Sequence, residues 1–326
     1  MKSTRLAFED GFSGPFISHG IDIIEDPERP DAIYIFAVNH APHPAYHPDL
    51  SNREWHWEGP EARSQVELFH HVLETPTVRH VRSIRHPLIK MPNDIYADSP
   101  SSFYVTNDHG YRSGLRRMVE DVIPAAKWSS TIRVRLDKLD AVDAEAEVNA
   151  TVALTGLYNN NGLGHGRTAD EILIGSAMGG AMYRAQRQEG PSGLLVNEEI
   201  RLEGMIDNPT YFADPYRTAS DDASGFVLAG LRRPINLVLH PGGPPAKDGG
   251  MVWYLRPNTT STEGGEAKEG NWETRLLFED DGSHIHTAST AVLVPIAPQQ
   301  LGEPKKAWLF VTGFFSESMI ALQVDL

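Results

Sequence analysis

The hydrophobic and polar positions of this chain repeat one pattern, in which a short polar segment is followed further on by a short apolar run. The apolar runs are Ala32 to Asn39, Phe103 to Thr106, Glu171 to Ser176, Gly225 to Ala229 and Trp308 to Thr312. The polar segments that precede them are His19-Gly20, Asn93-Asp94, Asn161-Gly162, Asp207-Asn208 and the loop from Asp280 to His286. Asn, Asp and Gly favour turns because they tolerate left-handed backbone conformations. The pattern therefore predicts short β-strands at the runs and turns at the polar segments.

The recurrence of this pattern says more than any single copy. One Asn-Asp pair indicates only a turn, but five copies at long, uneven spacing predict a radial β-repeat built from small antiparallel sheets. In a β-propeller, equivalent turns of different blades come together around a central channel. The segments carry Asn, Asp or His, the side chains used by an oxygen-ligated cation site or a hydrolytic site. The sequence therefore predicts an all-β propeller with a polar site at its centre.

One stretch has the spacing of an amphipathic helix instead. Between Gly114 and Lys127, apolar residues recur every three to four positions and charged residues fill the other face. The apolar residues are Leu115, Met118, Val119, Val122 and Ile123, and the charged residues are Arg116, Arg117, Glu120 and Asp121. The spacing predicts a lid helix whose apolar face packs on the propeller, in preference to a membrane anchor.

Composition and charge narrow the class of protein. The chain has 326 residues with 40% hydrophobic content, enough for a core, and its 28 Gly and 23 Pro indicate many turns. We expect one propeller domain over residues 1–326. A formal charge of −15 argues against binding to nucleic-acid phosphates, which requires clustered Lys and Arg. The chain has no cysteine, so disulfides play no part.

The sequence leaves the cellular compartment open. No run approaches the roughly 18 apolar residues of a membrane-spanning helix. Met1 to Asp10 lacks the apolar centre of a secretion signal, so the cytoplasm is the default expectation for the chain as given.

Several histidines fall in a polar insertion between residues 41 and 63. They are His43, His47 and His56, and two tryptophans, Trp55 and Trp57, accompany them. No H-x-x-E-H or H-E-x-x-H spacing is present, which disfavours a zinc site. We expect a solvated loop at the mouth of the central site.

An ordered series of short motifs makes the chain similar to a known family. The series runs through His19-Gly20-Ile21, Val38-Asn39-His40, Val66-Glu67-Leu68-Phe69, Ser83-Ile84-Arg85-His86, Asn93-Asp94-Ile95 and Thr106-Asn107-Asp108-His109. It continues more weakly through Asn161-Gly162, Ile206-Asp207-Asn208 and Leu239-His240-Pro241. In this series the chain resembles the paraoxonase/arylesterase family of calcium-dependent lactonases and esterases. The resemblance implies a six-bladed β-propeller whose substrate is a small aryl ester or lactone.

The resemblance also implies which residues form the site. A catalytic Ca²⁺ in the central cavity would be held by residues matching Asn93, Asn161, Asp207 and Asn208. A second, structural Ca²⁺ would be held by Asp94 and the main-chain carbonyl of Ile21. A histidine pair matching His19 and His40 would activate the attacking water, one ring as base and the other orienting it. His109 and His240 match positions in the wall of the cavity.

The chain departs from the family pattern at its beginning. The family's two calcium sites also use a Glu and an adjacent Asp of the first blade, far upstream of the histidine that His19 matches. Only 18 residues precede His19, and the acidic pair Glu9-Asp10 aligns with the strand leading to His19 rather than with that motif. The comparison predicts an incomplete first blade and weaker Ca²⁺ binding, because calcium affinity rises with ligand charge.

Two other functions remain open on the sequence. Strictosidine synthase-like proteins share the architecture and would make the chain a lyase or condensing enzyme, although the His19/His40 pair and Asn93-Asp94 fit the hydrolases better. The missing first-blade acids would also suit a non-catalytic propeller remnant.

Overall fold

Five sheet units follow one another along the chain, and the first strand of each packs beside the first strand of the next. This arrangement is seen in a computed structural model, which describes residues 4–9, 12, 14–43, 62–188, 190, 193–232, 248–258, 272–298, 300 and 303–326. Consecutive strands within a unit pair antiparallel, except for the two-residue strand Ala7–Phe8, which pairs in parallel with Thr77–Ile84 at the edge of the first sheet and is not counted as a first strand. The fourth and fifth units form one seven-stranded sheet, because their first strands pair in parallel at Asn208 and Thr290.

The strands are numbered in chain order. Unit I contains β1 (Ala7–Phe8), β2 (Ser18–Asp26), β3 (Arg29–Ala41), β4 (Arg63–Val72) and β5 (Thr77–Ile84). Unit II contains β6 (Pro92–Ser99), β7 (Ser102–Asn107), β8 (Ser130–Leu136) and β9 (Val148–Thr155). Unit III contains β10 (Asn160–His165), β11 (Glu171–Ser176), β12 (Ala181–Arg187) and β13 (Leu194–Arg201). Unit IV contains β14 (Met205–Phe212), β15 (Gly225–Leu231), β16 (Gly250–Pro257) and β17 (Trp272–Glu279). Unit V contains β18 (Ala288–Ile296), β19 (Lys306–Gly313) and β20 (Ile320–Asp325).

The predicted all-β, propeller-like class is confirmed. The five apolar runs of the sequence lie within β3, β7, β11, β15 and β19. These are the second strands of the five units when β2 is counted as the first strand of unit I, since β1 pairs at the opposite edge of that sheet. Strands β7, β11 and β15 are buried along their whole length, because neighbouring units cover both faces of their sheets. The described residues form five units, so the sixth blade implied by the family resemblance is not among them.

The core lies between successive units rather than in one centre. One apolar cluster joins units I and II, where the rings of Phe36 and Phe103 lie 5.3 Å apart. Three more clusters join units II and III, III and IV, and IV and V. Units II, III and IV are thus each packed between two neighbours, whereas units I and V each share one of these clusters.

The polar pairs of the sequence lie in β-bulges and not in turns. In each first strand one extra residue interrupts the pairing, between Ser18 and Ile21, Pro92 and Ile95, Asn160 and Leu163, Ile206 and Pro209, and Ala288 and Thr290. A bulge bends the strand and redirects side chains, and bulges are frequent next to active sites. The pairs His19-Gly20, Asn93-Asp94, Asn161-Gly162 and Asp207-Asn208 therefore occupy equivalent positions of four units.

The fifth polar segment is a turn, as predicted, but it is not equivalent to the other four, which lie in bulges. The loop from Asp280 to His286 joins β17 to β18, where the Asp280 carboxylate accepts hydrogen bonds from the backbone N–H groups of Gly282, His284 and Ile285. It is a turn, and the bulge of unit V comes later, at Ser289.

The single helix among the described residues faces the opposite way from the prediction. Helix α1 (Gly114–Val122) is shorter than the predicted stretch. Leu115 is 76% exposed and Met118 64%, whereas Glu120 is 4% exposed. Hydrogen bonds account for this orientation. The Glu120 carboxylate accepts hydrogen bonds from the backbone N–H groups of Gly110 at 2.7 Å and Tyr111 at 3.1 Å, and these bonds hold this side of the helix inward. Within the described residues no helix is long and apolar enough to cross a membrane.

Candidate active site

One cavity of about 790 Å³ is lined by the bulges of all five first strands. Each strand contributes residues from its bulge or next to it, and these include His19, Ile21, Asn93, Asp94, Asn161, Asp207, Asn208, Ser289 and Thr290. The six predicted calcium ligands and one predicted catalytic histidine thus border the same space. Among the predicted site residues that line it, the separation in sequence reaches 189 positions, from His19 to Asn208.

Two glycines let neighbouring bulges approach closely. A Cβ atom at Gly20 would collide with Asp94 Oδ1 and with the carbonyl oxygen of Asn93. A Cβ atom at Gly162 would collide in the same way with Asn208 Oδ1 and the carbonyl oxygen of Asp207. Only glycine allows this backbone approach, so each glycine brings an oxygen of the next unit into the cavity wall.

His19 and His40 form a hydrogen-bonded pair. Nδ1 of His19 lies 3.0 Å from Nε2 of His40, and Nδ1 of His40 lies 2.9 Å from the hydroxyl of Ser64. His19 borders the cavity, whereas His40 lies behind it on β3. The three side chains therefore form a chain that leads from the cavity into unit I.

The surroundings keep both rings neutral. Desolvation, together with the positive charges that His19 and Arg112 can carry, lowers the pKa of His40 to about 4. Desolvation also lowers the pKa of His19, although the nearby Asp108 carboxylate opposes this shift. Neutral imidazole can accept a proton, so the pair is in the state that a general base requires.

The sequence reasoning did not single out Asp108. Its negative charge acts to raise the pKa of both histidines, against the larger lowering by desolvation. Burial would raise the pKa of Asp108 itself, but its hydrogen bond to His109 and the charges of His109 and Arg117 hold that pKa below the usual range. The Nδ1 atom of His109 lies 3.1 Å from Asp108 Oδ1, and Nε2 lies 3.1 Å from Asp121 Oδ1 of helix α1. His109 thus contacts Asp108, and neither residue lines the central cavity.

A buried polar network fixes the backbone beside the histidine pair. Asn39, which precedes His40, accepts the backbone N–H of Ile17 at 2.9 Å and donates to Glu67 Oε1 at 2.9 Å. The Glu67 carboxylate also accepts from His80 and from the hydroxyl of Ser83. Burial alone would raise the pKa of Glu67, but these hydrogen bonds lower it, so the carboxylate stays charged. The network holds the segment that enters β2 and hence the position of His19.

Two carboxylates are buried in the cavity wall. Burial raises the pKa of Asp94 to about 8, and Asp94 Oδ2 accepts the backbone N–H of Leu163 at 2.7 Å. Burial also raises the pKa of Asp207 to about 6, while a hydrogen bond with Ser289 acts in the opposite direction. A nearby cation favours the charged form of a carboxylate, so both groups suit a site that binds one.

The amide of Asn208 is oriented by unit V. Its Nδ2 donates to the hydroxyls of Ser289 at 3.1 Å and Thr290 at 2.9 Å, which leaves its oxygen on the opposite side, toward Gly162. Ser289 and Thr290 were missed by the sequence reasoning, since Ser and Thr carry no distinctive signal. The one signal that could have found them is their position in the strand, which is equivalent to that of the other four polar pairs.

The donor set is chemically suited to a hard cation. The predicted ligands offer oxygen atoms alone, from two carboxylates, three side-chain amides and the main-chain carbonyl of Ile21, which matches the preference of Ca²⁺. Within the described part of the chain, no three His, Cys, Asp or Glu side chains come together in a way that could hold a metal ion. Any cation at this cavity would therefore depend on the amides as well as on the carboxylates.

Some predicted features lie outside the described residues. These are His47, His56, Trp55, Trp57, Asp10 and the cavity-wall candidate His240. His43 is described, and it lines a second cavity beside unit I.

Comparison with known proteins agrees with the motifs. The family model described as Arylesterase matches residues 53–189. The chain is 29% identical to serum paraoxonase/arylesterase 2 of Gallus gallus over 208 residues, covering 64% of this chain and 49% of that protein. It is 27% identical to serum paraoxonase/arylesterase 2 of Canis lupus familiaris over 250 residues, covering 76% of this chain and 58% of that protein.

A match to another relative is shorter but has a higher sequence identity. Serum paraoxonase/arylesterase 1 of Homo sapiens is 36% identical over 94 residues, which cover 29% of this chain and 21% of that protein. The chain spans between 49% and 58% of the length of the first two relatives. In these matches and in its ordered motifs, the chain is similar to the paraoxonase/arylesterase family.

Proposed function

We propose that the central cavity is the site of a calcium-dependent hydrolase of aryl esters or lactones. The observation that carries the proposal is the meeting, at one cavity, of a neutral histidine pair and an all-oxygen donor set supplied by equivalent bulges. The names of the relatives, paraoxonase/arylesterase, support ester hydrolysis as the reaction. The alternatives of a lyase and of a non-catalytic propeller have no comparable support in the geometry.

Asn93, Asn161, Asp207 and Asn208 are the residues that would hold a catalytic Ca²⁺, and Asp94 with the carbonyl of Ile21 would hold a structural one. Bound there, the cation would supply polarisation of the ester carbonyl and charge for the developing oxyanion. Asn208 is prepared for this role, because Ser289 and Thr290 hold its amide nitrogen and leave its oxygen for the cavity side.

His19 would take the proton of the attacking water. In one tautomer His19 Nδ1–H donates to His40 Nε2, and His40 Nδ1–H donates to Ser64 Oγ. This tautomer leaves Nε2 of His19 as the acceptor on the ring that borders the cavity. The negative charge of Asp108 then favours the imidazolium that forms when His19 gains the proton.

The test is hydrolysis of phenyl acetate and δ-valerolactone by the purified chain, with added Ca²⁺ and after chelation. Turnover that requires Ca²⁺ and is lost in His19→Gln supports the proposal. Equal turnover by wild type and His19→Gln, with or without chelator, would contradict it.

A further inference from the structure

A second histidine lies in the wall of the central cavity, and it is paired with a carboxylate. His165 of β10 and Asp22 of β2 both line the cavity. Nε2 of His165 lies 2.9 Å from Oδ2 of Asp22 and 3.2 Å from Oδ1. Asp22 follows His19 by three positions on β2, and a strand rises about 3.3 Å per residue, so the two residues lie roughly 10 Å apart along the strand. The Asp22–His165 pair therefore belongs to a different level of the cavity from the pair of His19 and His40.

The backbone of two units holds the Asp22 carboxylate in place. Its Oδ1 accepts the backbone N–H of Ile23 at 2.9 Å, and its Oδ2 accepts that of Ala97 on β6 at 2.7 Å. The side chain of Asp22 is 15% exposed. The carboxylate is thus fixed by units I and II before it meets the ring of His165, which comes from unit III.

The ring of His165 is oriented on one side and open on the other. It packs on the ring of Tyr96, with centroids 4.3 Å apart, and the hydroxyl of Tyr96 donates to the carbonyl oxygen of Ala169 at 2.9 Å. When Nε2–H donates to Asp22, the lone pair of the neutral ring is on Nδ1. In the part of the chain that the structure describes, Nδ1 takes part in no hydrogen bond. The side chain is 50% exposed, so this nitrogen is left for a molecule that enters the cavity.

We propose that His165 is a nucleophile toward activated aryl esters, which gives the chain a second esterase activity that uses neither a metal ion nor His19. Nδ1 attacks the acyl carbon and forms a C–N bond, and the C–O bond to the aryl group breaks, so that the aryloxide leaves with the bonding electrons. The positive charge that develops on the ring is stabilised by the Asp22 carboxylate. Water then attacks the acyl group, the carboxylic acid is released with one proton passing to solvent, and the ring returns to its neutral form with Nε2–H on Asp22.

The chemistry of the ring selects the substrate. Imidazole is itself a good leaving group, so the tetrahedral adduct goes forward only when the aryloxide leaves more readily than the ring does. 4-Nitrophenolate meets this condition, whereas phenolate and the alkoxide of an opened lactone do not. This activity goes beyond the calcium-dependent reaction proposed above, and each can be present without the other.

The kinetic test follows the release of 4-nitrophenolate from 4-nitrophenyl acetate by the full chain in excess chelator. Wild type and His19→Gln should both catalyse this reaction, and His165→Gln should lose it. Asp22→Asn should lower kcat by about tenfold, the factor for one charge-assisted hydrogen bond, with KM nearly unchanged. The reason is that an amide at this position donates to Nε2, so the ring proton moves to Nδ1 and the lone pair is no longer there. A general loosening of the fold would not separate kcat from KM in this way.

A second measurement depends on no variant. 4-Nitrophenyl trimethylacetate transfers an acyl group that water removes slowly, because its methyl groups shield the carbonyl carbon. Mass spectrometry of peptides prepared directly after the reaction in chelator should find this acyl group on His165 of the wild-type chain. Its absence from His165 would overturn the proposal.

The matched control is another histidine beside a carboxylate. His284 Nδ1 lies 2.8 Å from Asp280 Oδ1, but the side chain of His284 is 76% exposed and does not line the central cavity. His284→Gln should therefore keep both the rate in chelator and the acylation of His165. An unchanged rate in His165→Gln, or an equal loss in His165→Gln and His284→Gln, would overturn the proposal. Loss of the reaction in His19→Gln would assign it to the histidine pair and would overturn it as well.

Discussion

Gly20 of β2 lies against Asp94 of β6 so closely that no side chain fits between them. The contact joins unit I to unit II at the level of the central cavity, and it brings the carboxylate that we propose as a calcium ligand beside the bulge that carries His19. A change at Gly20 should therefore be felt both in stability and at the cavity.

Gly20→Ala should destabilise the protein by about 1 to 3 kcal/mol, the usual cost of an extra methyl group in a closely packed place. The added Cβ meets the carbonyl oxygen of Asn93 as well as Asp94, and a backbone oxygen cannot move aside as a flexible side chain could. Urea denaturation measures the change. Gly14→Ala is the control, since nothing lies within 4 Å of a Cβ at Gly14, and a similar loss in both variants would show that the close contact is not responsible.

His19→Gln should lower ester or lactone hydrolysis by on the order of a hundredfold, because it removes the general base. His40→Gln should do less damage, since His40 orients the ring of His19 through the 3.0 Å contact and does not accept the proton of water. Steady-state kinetics with phenyl acetate compares the two, and calcium affinity should be nearly intact in both. A larger loss in His40→Gln than in His19→Gln would reverse the assigned roles.

Asp207→Ala should weaken Ca²⁺ binding more than Asn161→Ala, because Asp207 supplies a formal charge to the proposed catalytic set and the amide of Asn161 does not. Isothermal titration with Ca²⁺ gives the two affinities. Asp140→Ala is the matched control, since Asp140 is an acidic residue with a 78% exposed side chain on the surface. If Asp207→Ala and Asp140→Ala bound Ca²⁺ equally well, the proposed ligand set would be wrong.

The pH dependence of stability should show the depressed pKa of His40. Between its ordinary value of 6.5 and about 4, the unfolded chain takes up a proton at His40 that the folded chain does not. The contribution of His40 is therefore fully present above about pH 6.5 and is lost as the pH falls toward 4. Denaturation of wild type and His40→Gln at several pH values measures this part, because titrating groups that do not interact with His40 cancel in the difference. A difference that stays constant from pH 7 to pH 4 would rule out the shift.

Glu120→Ala should destabilise the protein by about 1 to 3 kcal/mol, because it removes the acceptor of the partly buried backbone N–H groups of Gly110 and Tyr111. Leu115→Ser on the same helix should change stability by less than about 0.5 kcal/mol, since Leu115 is largely in solvent. Thermal and urea unfolding measure both. A greater loss in Leu115→Ser would mean that the apolar face is the packed one, as the sequence pattern had predicted.

The buried strands and the residue types of the site could be predicted from the amino-acid sequence alone. The apolar runs at Phe103, Glu171 and Gly225 predicted buried strands correctly, because a strand that is covered on both faces is hydrophobic along its whole length. The motifs around His19 and Asn93 likewise indicated the family, and they did so without any knowledge of which residues come together.

The local conformation of these residues and their contacts depend on how the five units pair and pack. A polar pair such as Asn93-Asp94 suits a turn and a bulge equally well, and the choice depends on the pairing of β6 with β7 and its packing against β2 and β10. Ser289 belongs to the site because the packing of unit V on unit IV brings its hydroxyl within hydrogen-bond distance of the Asn208 amide. The orientation of helix α1 also depends on contacts outside the helix. The spacing of its apolar residues is a local property, but the N–H groups that donate to Glu120 belong to the preceding loop, and they hold the charged face inward.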